Sequence, residues 1–124
     1  MIVHVDTSAL IDALTGPRRS LDTLIGFTDQ SHRLMISTIV LYEWLRGPRT
    51  RTELTAQEDL FPSEQAVAFA TGEAAIAARL YKRMARARGR EIDLAIAACA
   101  IANGTVIWTL NPGDFLDIPD LRLV

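Results

Sequence analysis

Between Glu91 and Asn103 the chain reads Glu-Ile-Asp-Leu-Ala-Ile-Ala-Ala-Cys-Ala-Ile-Ala-Asn, a helix-length stretch that is apolar on nearly every side once Asp93 is passed. Such a helix has no face to give to water and belongs in the interior of the molecule. Short β-branched or apolar runs at residues 2–5, 34–36 and 105–108 read as strands. Strands separated by helices pair through right-handed crossovers into a parallel sheet covered on both faces. The expected class is therefore α/β, with three layers: a central parallel sheet flanked by helices. A chain of 124 residues has room for one core, so a single domain over residues 1–124 is expected.

Turn and cap residues divide the remainder. Asp6-Thr7-Ser8 ends the first strand and caps a helix over residues 8–14, which stops at Gly16-Pro17. A second helix is expected over 18–30, with Leu21, Leu24, Ile25 and Thr28 facing inward. Ser37 or Thr38 caps a helix that runs to Arg46 and closes at Gly47-Pro48. A polar helix over 49–59 and a short strand at 67–69 follow. A long Ala-rich helix then runs from Thr71 or Gly72 to Arg88, with Ile76, Leu80 and Met84 on one side and Arg79, Lys82, Arg83 and Arg86 on the other. A helical turn at 114–116 and a last strand at 121–124 complete the reading.

Charge is segregated. The net charge is only −2, yet six of the 13 cationic side chains fall between Arg79 and Arg90. A weakly acidic protein can thus present a basic strip suited to a phosphate backbone, or simply a solvated helix face. Cys99 stands alone, which excludes an internal disulfide and fits a reducing compartment. The amino terminus opens directly into a strand without the pattern of a signal peptide, and no apolar run has the length of a bilayer span. The cytosol is the expected location, with no membrane contact.

Four acids stand where a parallel sheet would gather them, since ligands of such sheets collect at the carboxyl ends of the strands. Asp6 directly follows the first strand, Asp114 follows the strand at 105–108 after a turn, and Asp93 opens the apolar helix. Glu43 lies in Ile39-Val40-Leu41-Tyr42-Glu43-Trp44-Leu45, where a carboxylate must be solvated, paired or bound to a cation. Each acid also has a simpler explanation. Asp6 could cap a helix, Glu43 could pair with Arg46, Asp93 could answer the helix dipole, and Asp114 could serve a turn. None of these explains why all four fall at positions able to converge. If they converge, their repulsion calls for a divalent cation, and oxygen-only ligands favour Mg²⁺ or Mn²⁺ over zinc. His4 and His32 read as structural, Cys99 as a core residue, and Trp44 and Trp108 as packing residues.

The chain resembles PIN-domain nucleases and, among them, the short VapC-type toxins of prokaryotic toxin–antitoxin pairs. The resemblance rests on Val5-Asp6-Thr7-Ser8-Ala9-Leu10, Tyr42-Glu43-Trp44-Leu45-Arg46-Gly47, Arg88-Gly89-Arg90-Glu91-Ile92-Asp93-Leu94-Ala95-Ile96-Ala97-Ala98 and Trp108-Thr109-Leu110-Asn111-Pro112-Gly113-Asp114-Phe115, in that order. It implies Mg²⁺ at Asp6 and Asp93, with Glu43 and a late acid completing the site. It also implies endonucleolytic cleavage of RNA, a homodimer, and inhibition by a cognate VapB-type antitoxin. Many relatives carry an acid where this chain has Asn111; Asp114 fits the Asp-Phe pair also common there. A noncatalytic PIN-like module that binds RNA or a partner through the basic strip is the alternative. An aspartyl-nucleophile phosphatase fits less well, because Ser8 stands where a second acid is needed.

Overall fold

In the computed structural model, which describes residues 1–124, three strands form one parallel sheet. They are β1 (Ile2–Val5), β2 (Arg33–Met35) and β3 (Val106–Trp108), in the order β2-β1-β3. The register places His4 between Met35 and Ile107 and sets Val5 opposite Trp108. The next residues, Asp6 and Thr109, therefore leave the sheet side by side. The ladder continues one step further, with the Asp6 N–H donating to the Trp108 carbonyl at 2.9 Å.

Six helices flank this sheet: α1 (Thr7–Leu14), α2 (Leu21–Asp29), α3 (Thr38–Arg46), α4 (Arg51–Leu60), α5 (Thr71–Arg83) and α6 (Glu91–Ala102). The capping residues explain several starts. Ser37 accepts the Val40 N–H ahead of α3, and Thr50 and Glu53 form a reciprocal capping box ahead of α4. The interior position expected for α6 is realised: Leu94 through Ala100 are all buried, and the helix packs against α5, α3 and β3. Its Leu94 and Ile96 join Trp44, Leu10 and Ile107 in the core. Each such aliphatic side chain contributes about 2 kcal/mol by leaving water.

Several boundaries differ from the sequence expectation. The Ala-rich helix ends at Arg83 rather than Arg88, because Met84 turns extended and the following segment folds back to bury Ala87. Gly89, at φ +84°, then redirects the chain into α6. Arg86 and Arg88 thus lie on a loop and not on the helix. The helix expected from residue 18 starts at Leu21, since Arg18 takes a left-handed conformation at φ 53°. Within it Ile25 and Thr28 are exposed, and Phe27 instead packs edge-on against Trp108 at 5.2 Å. The strands expected at 67–69 and 121–124 reduce to single bridges, Ser37 with Val67 and Ile107 with Leu123. The helical turn expected at 114–116 sits two residues earlier, at Pro112–Asp114, where Pro112 presets its first φ.

Candidate active site

At the carboxyl edge of the sheet Asp6 occupies the N-cap position of α1, yet its side chain makes no capping bond. Its Oδ2 instead accepts two hydroxyls, from Ser8 at 2.8 Å and from Thr109 at 2.8 Å. Those hydroxyls are themselves fixed: Ser8 accepts the Leu110 N–H at 3.1 Å and Thr109 accepts the Asn111 N–H at 3.0 Å. Two adjacent parallel strands thus deliver one carboxylate and the groups that orient it. Asp6 is only 5 % exposed, so its rotamer is held on all sides.

Glu43 reaches the same edge from α3, which packs on α1. Thr7, the residue after Asp6, donates its hydroxyl to Glu43 Oε1 at 2.6 Å. Arg46, one turn along α3, reaches Oε2 at 3.3 Å, so the ion pair weighed from the sequence also forms. Its guanidinium is largely exposed, and a pair of that kind contributes little to stability.

Asp93 stands in the first turn of α6, half-buried, with no hydrogen-bond partner for its carboxylate. Burial pushes its pKa up from 3.8 to about 6, reinforced by the negative charges of Asp114, Asp6 and Glu43 and opposed by Arg90. The four acids expected to converge are therefore neighbours in the electrostatic sense. Asp114 is the outermost, exposed at the end of its 3-10 turn. As placed, no three His, Cys, Asp or Glu side chains close to the spacing of a single coordination shell. In kind the donors fit a hard divalent cation: every candidate ligand is an oxygen, and Asp93 is a partly desolvated carboxylate with no protein donor to neutralise it.

Two contributors were not singled out in the sequence. Thr109 holds Asp6, and its signal was its place directly after an apolar strand, the same place Asp6 has after β1. Arg90 binds Asp117 and the carbonyl of Asp114 beside the acids, and nothing in its local sequence distinguishes it from the neighbouring arginines. The residues read as structural are so. His4 is fully buried with neither ring nitrogen partnered, and burial lowers its pKa to about 4, which keeps it neutral. Burial raises the Cys99 thiol to about 11. Trp44 is fully buried beneath the Arg49 guanidinium, 4.2 Å from the ring centre. His32 meets only the chain's amino group and the Phe27 ring.

A family model described as the PIN domain matches residues 3–121. No curated protein matches the chain. Among solved structures, the DNA-bound VapBC from Salmonella typhimurium aligns with TM-score 0.80 and 22% identity, covering 100% of this chain and 97% of that one. VapBC2 from Rickettsia felis, bound to a DNA fragment from its promoter, aligns with TM-score 0.77 and 20% identity over 100% and 98% of the two chains. VapBC-1 from nontypeable Haemophilus influenzae aligns with TM-score 0.73 and 23% identity over 100% and 97%. At these identities the likeness is one of fold. No helix of the chain is long and apolar enough to cross a membrane.

Proposed function

The chain belongs to the PIN-domain family, and from that premise we propose that it is a Mg²⁺-dependent endoribonuclease, the VapC-type toxin of a toxin–antitoxin pair, working as a single domain over residues 1–124. The observation that supports this reading is Asp93, a partly desolvated carboxylate without a hydrogen-bond donor that feels the negative charges of Asp114, Asp6 and Glu43. Asp6 and Asp93 are the principal ligands of Mg²⁺, Glu43 supports them, and Asp114 completes the charge. Mn²⁺ would substitute, being hard and of similar coordination. A divalent ion, when bound, supplies the positive charge that polarises a phosphodiester and acidifies a water.

The chain's own residues prepare for that chemistry. Ser8 and Thr109 hold Asp6 Oδ2 in one direction, so no reorientation is needed when a cation arrives. Thr7 does the same for Glu43 Oε1. The acidic edge repels RNA, so binding must be supplied by cations elsewhere on the surface. Arg79, Lys82, Arg86 and Arg88 are exposed and make no ion pair, and guanidinium groups grip phosphate in two-pronged fashion. Neutralisation by a VapB-type antitoxin and assembly as a homodimer belong to the same proposal, supported by the fold shared with VapBC complexes.

The test is cleavage of total cellular RNA by highly purified protein, with Mg²⁺ and with EDTA. The expected result is discrete cutting that EDTA abolishes and added Mg²⁺ restores. Binding of RNA without any cutting would instead favour the noncatalytic module.

A further inference from the structure

Arg90 makes four hydrogen bonds through one guanidinium. Nη1 donates to Asp117 Oδ2 and to the carbonyl of Arg86, both at 2.8 Å. Nη2 donates to Asp117 Oδ1 at 2.6 Å and to the carbonyl of Asp114 at 2.7 Å. The side chain is mostly covered, at 21% exposure, although its partner Asp117 is open to solvent. Three segments meet on it: the loop after α5, the start of α6, and the turn that carries Asp114. That turn is otherwise held by short-range bonds within residues 111–118 and by the buried rings and chains of Phe115 and Ile118. Nothing else among its hydrogen bonds ties the Asp114 backbone to α6.

We propose that Arg90 is a positioning residue that straps the Asp114 turn to the first turn of α6 and thereby sets the spacing between Asp93 and Asp114. Asp93 lies three residues beyond Arg90, so a fixed Arg90 fixes both acids in one frame. The fork with Asp117 matters because it fixes where the guanidinium sits, although Asp93 still feels its charge. An arginine without that fork would swing toward Asp93 and Asp114 and compete with any cation. A lysine cannot take the role, since one ammonium cannot span two carboxylate oxygens and two carbonyls in a plane.

This rests on the metal-nuclease reading of the site, and the experiment separates the two. Mn²⁺ binding to the full chain, without RNA, is titrated by electron paramagnetic resonance for wild type, Asp93→Asn, Arg90→Lys and Arg90→Gln. Wild type binds and Asp93→Asn loses binding. Arg90→Lys, with its charge kept, binds about tenfold more weakly, the scale of a lost ligand-orienting contact. Arg90→Gln also weakens, although removing a positive charge beside acids would by Coulomb's law alone tighten the site. Should the Arg90 variants fail to fold, Asp117→Glu keeps the charge and displaces the fork, with a loss of about tenfold expected. Wild-type affinity in Arg90→Lys, tighter binding in Arg90→Gln, or wild-type affinity in Asp117→Glu overturns the strap while leaving the metal site standing. Absence of binding in the wild type overturns both.

Discussion

Asp6 accepts two hydroxyls that are themselves anchored to the backbone, whereas Asp93 accepts none and feels the negative charges of Asp114, Asp6 and Glu43. The first arrangement comes from sheet register, which sets Asp6 and Thr109 side by side and lets the chain orient the carboxylate before any ligand is present. The second comes from α6, a helix buried for its apolar content, which carries a carboxylate into a half-buried position with no donor to meet it. One acid is fixed by geometry and the other is left with charge in excess. A cation site needs both: a rigid point of attachment and an electrostatic reason to bind.

That contrast is open to attack by substitution. The largest effect belongs to Asp6→Asn, which keeps the shape and removes the charge. RNA cleavage should fall by at least on the order of a thousandfold, while the circular dichroism spectrum stays that of the wild type. Cleavage at the wild-type rate by this variant would remove Asp6 from the site.

Asp93→Asn should also abolish cleavage, but its effect on stability runs the other way. The folded-state pKa of Asp93 lies near 6, above its ordinary 3.8, so the folded protein holds the proton more tightly than the unfolded chain. Stability is then lost as pH rises through that interval, and at pH 7 the metal-free protein carries a penalty of about 1–2 kcal/mol after solvent screening. Asp93→Asn removes it, and urea denaturation without metal should show a more stable protein. His4 tilts the profile oppositely. Its folded pKa near 4 lies below the ordinary 6.5, so its neutral burial loses up to about 3 kcal/mol as pH falls from 6.5 to 4. The two slopes oppose each other in the wild type between pH 4 and 6. In Asp93→Asn the His4 slope should go unopposed by Asp93, with stability rising steadily toward pH 6.5. A stability curve identical to the wild type would mean that Asp93 is not under charge stress.

Thr109→Val gives the smallest change. It deletes one of the two hydroxyls on Asp6 without altering charge, and should lower cleavage about tenfold with folding intact. A loss as large as that of Asp6→Asn would show that orientation, not charge, dominates this corner.

Much of this was legible in the sequence, and the failures have physical reasons. The all-apolar stretch after Asp93 required a buried helix, by hydrophobic burial, and the alternation of short strands with helices required a parallel sheet. The carboxylates stood out because a residue such as Glu43, among Ile, Val, Leu and Trp, must be solvated, paired or bound to a cation. Positions set by long-range contacts were hidden. Thr109 matters only because strand register brings it to a residue 103 positions away. Arg90 matters only because Asp117 and the Asp114 carbonyl fold onto it. The early end of α5 at Arg83 reflects the burial of Ala87, a tertiary demand that overrides the helix propensity of an Ala- and Arg-rich run.

The most direct trial of the account is a crystal structure grown with Mn²⁺, read by its anomalous scattering. The expected outcome is a peak between the Asp6 and Asp93 carboxylates, with oxygens of both drawn to about 2.2 Å from the ion, near the distance for a hard six-coordinate cation. A protein that crystallises with Mn²⁺ elsewhere and none between these two acids would contradict it.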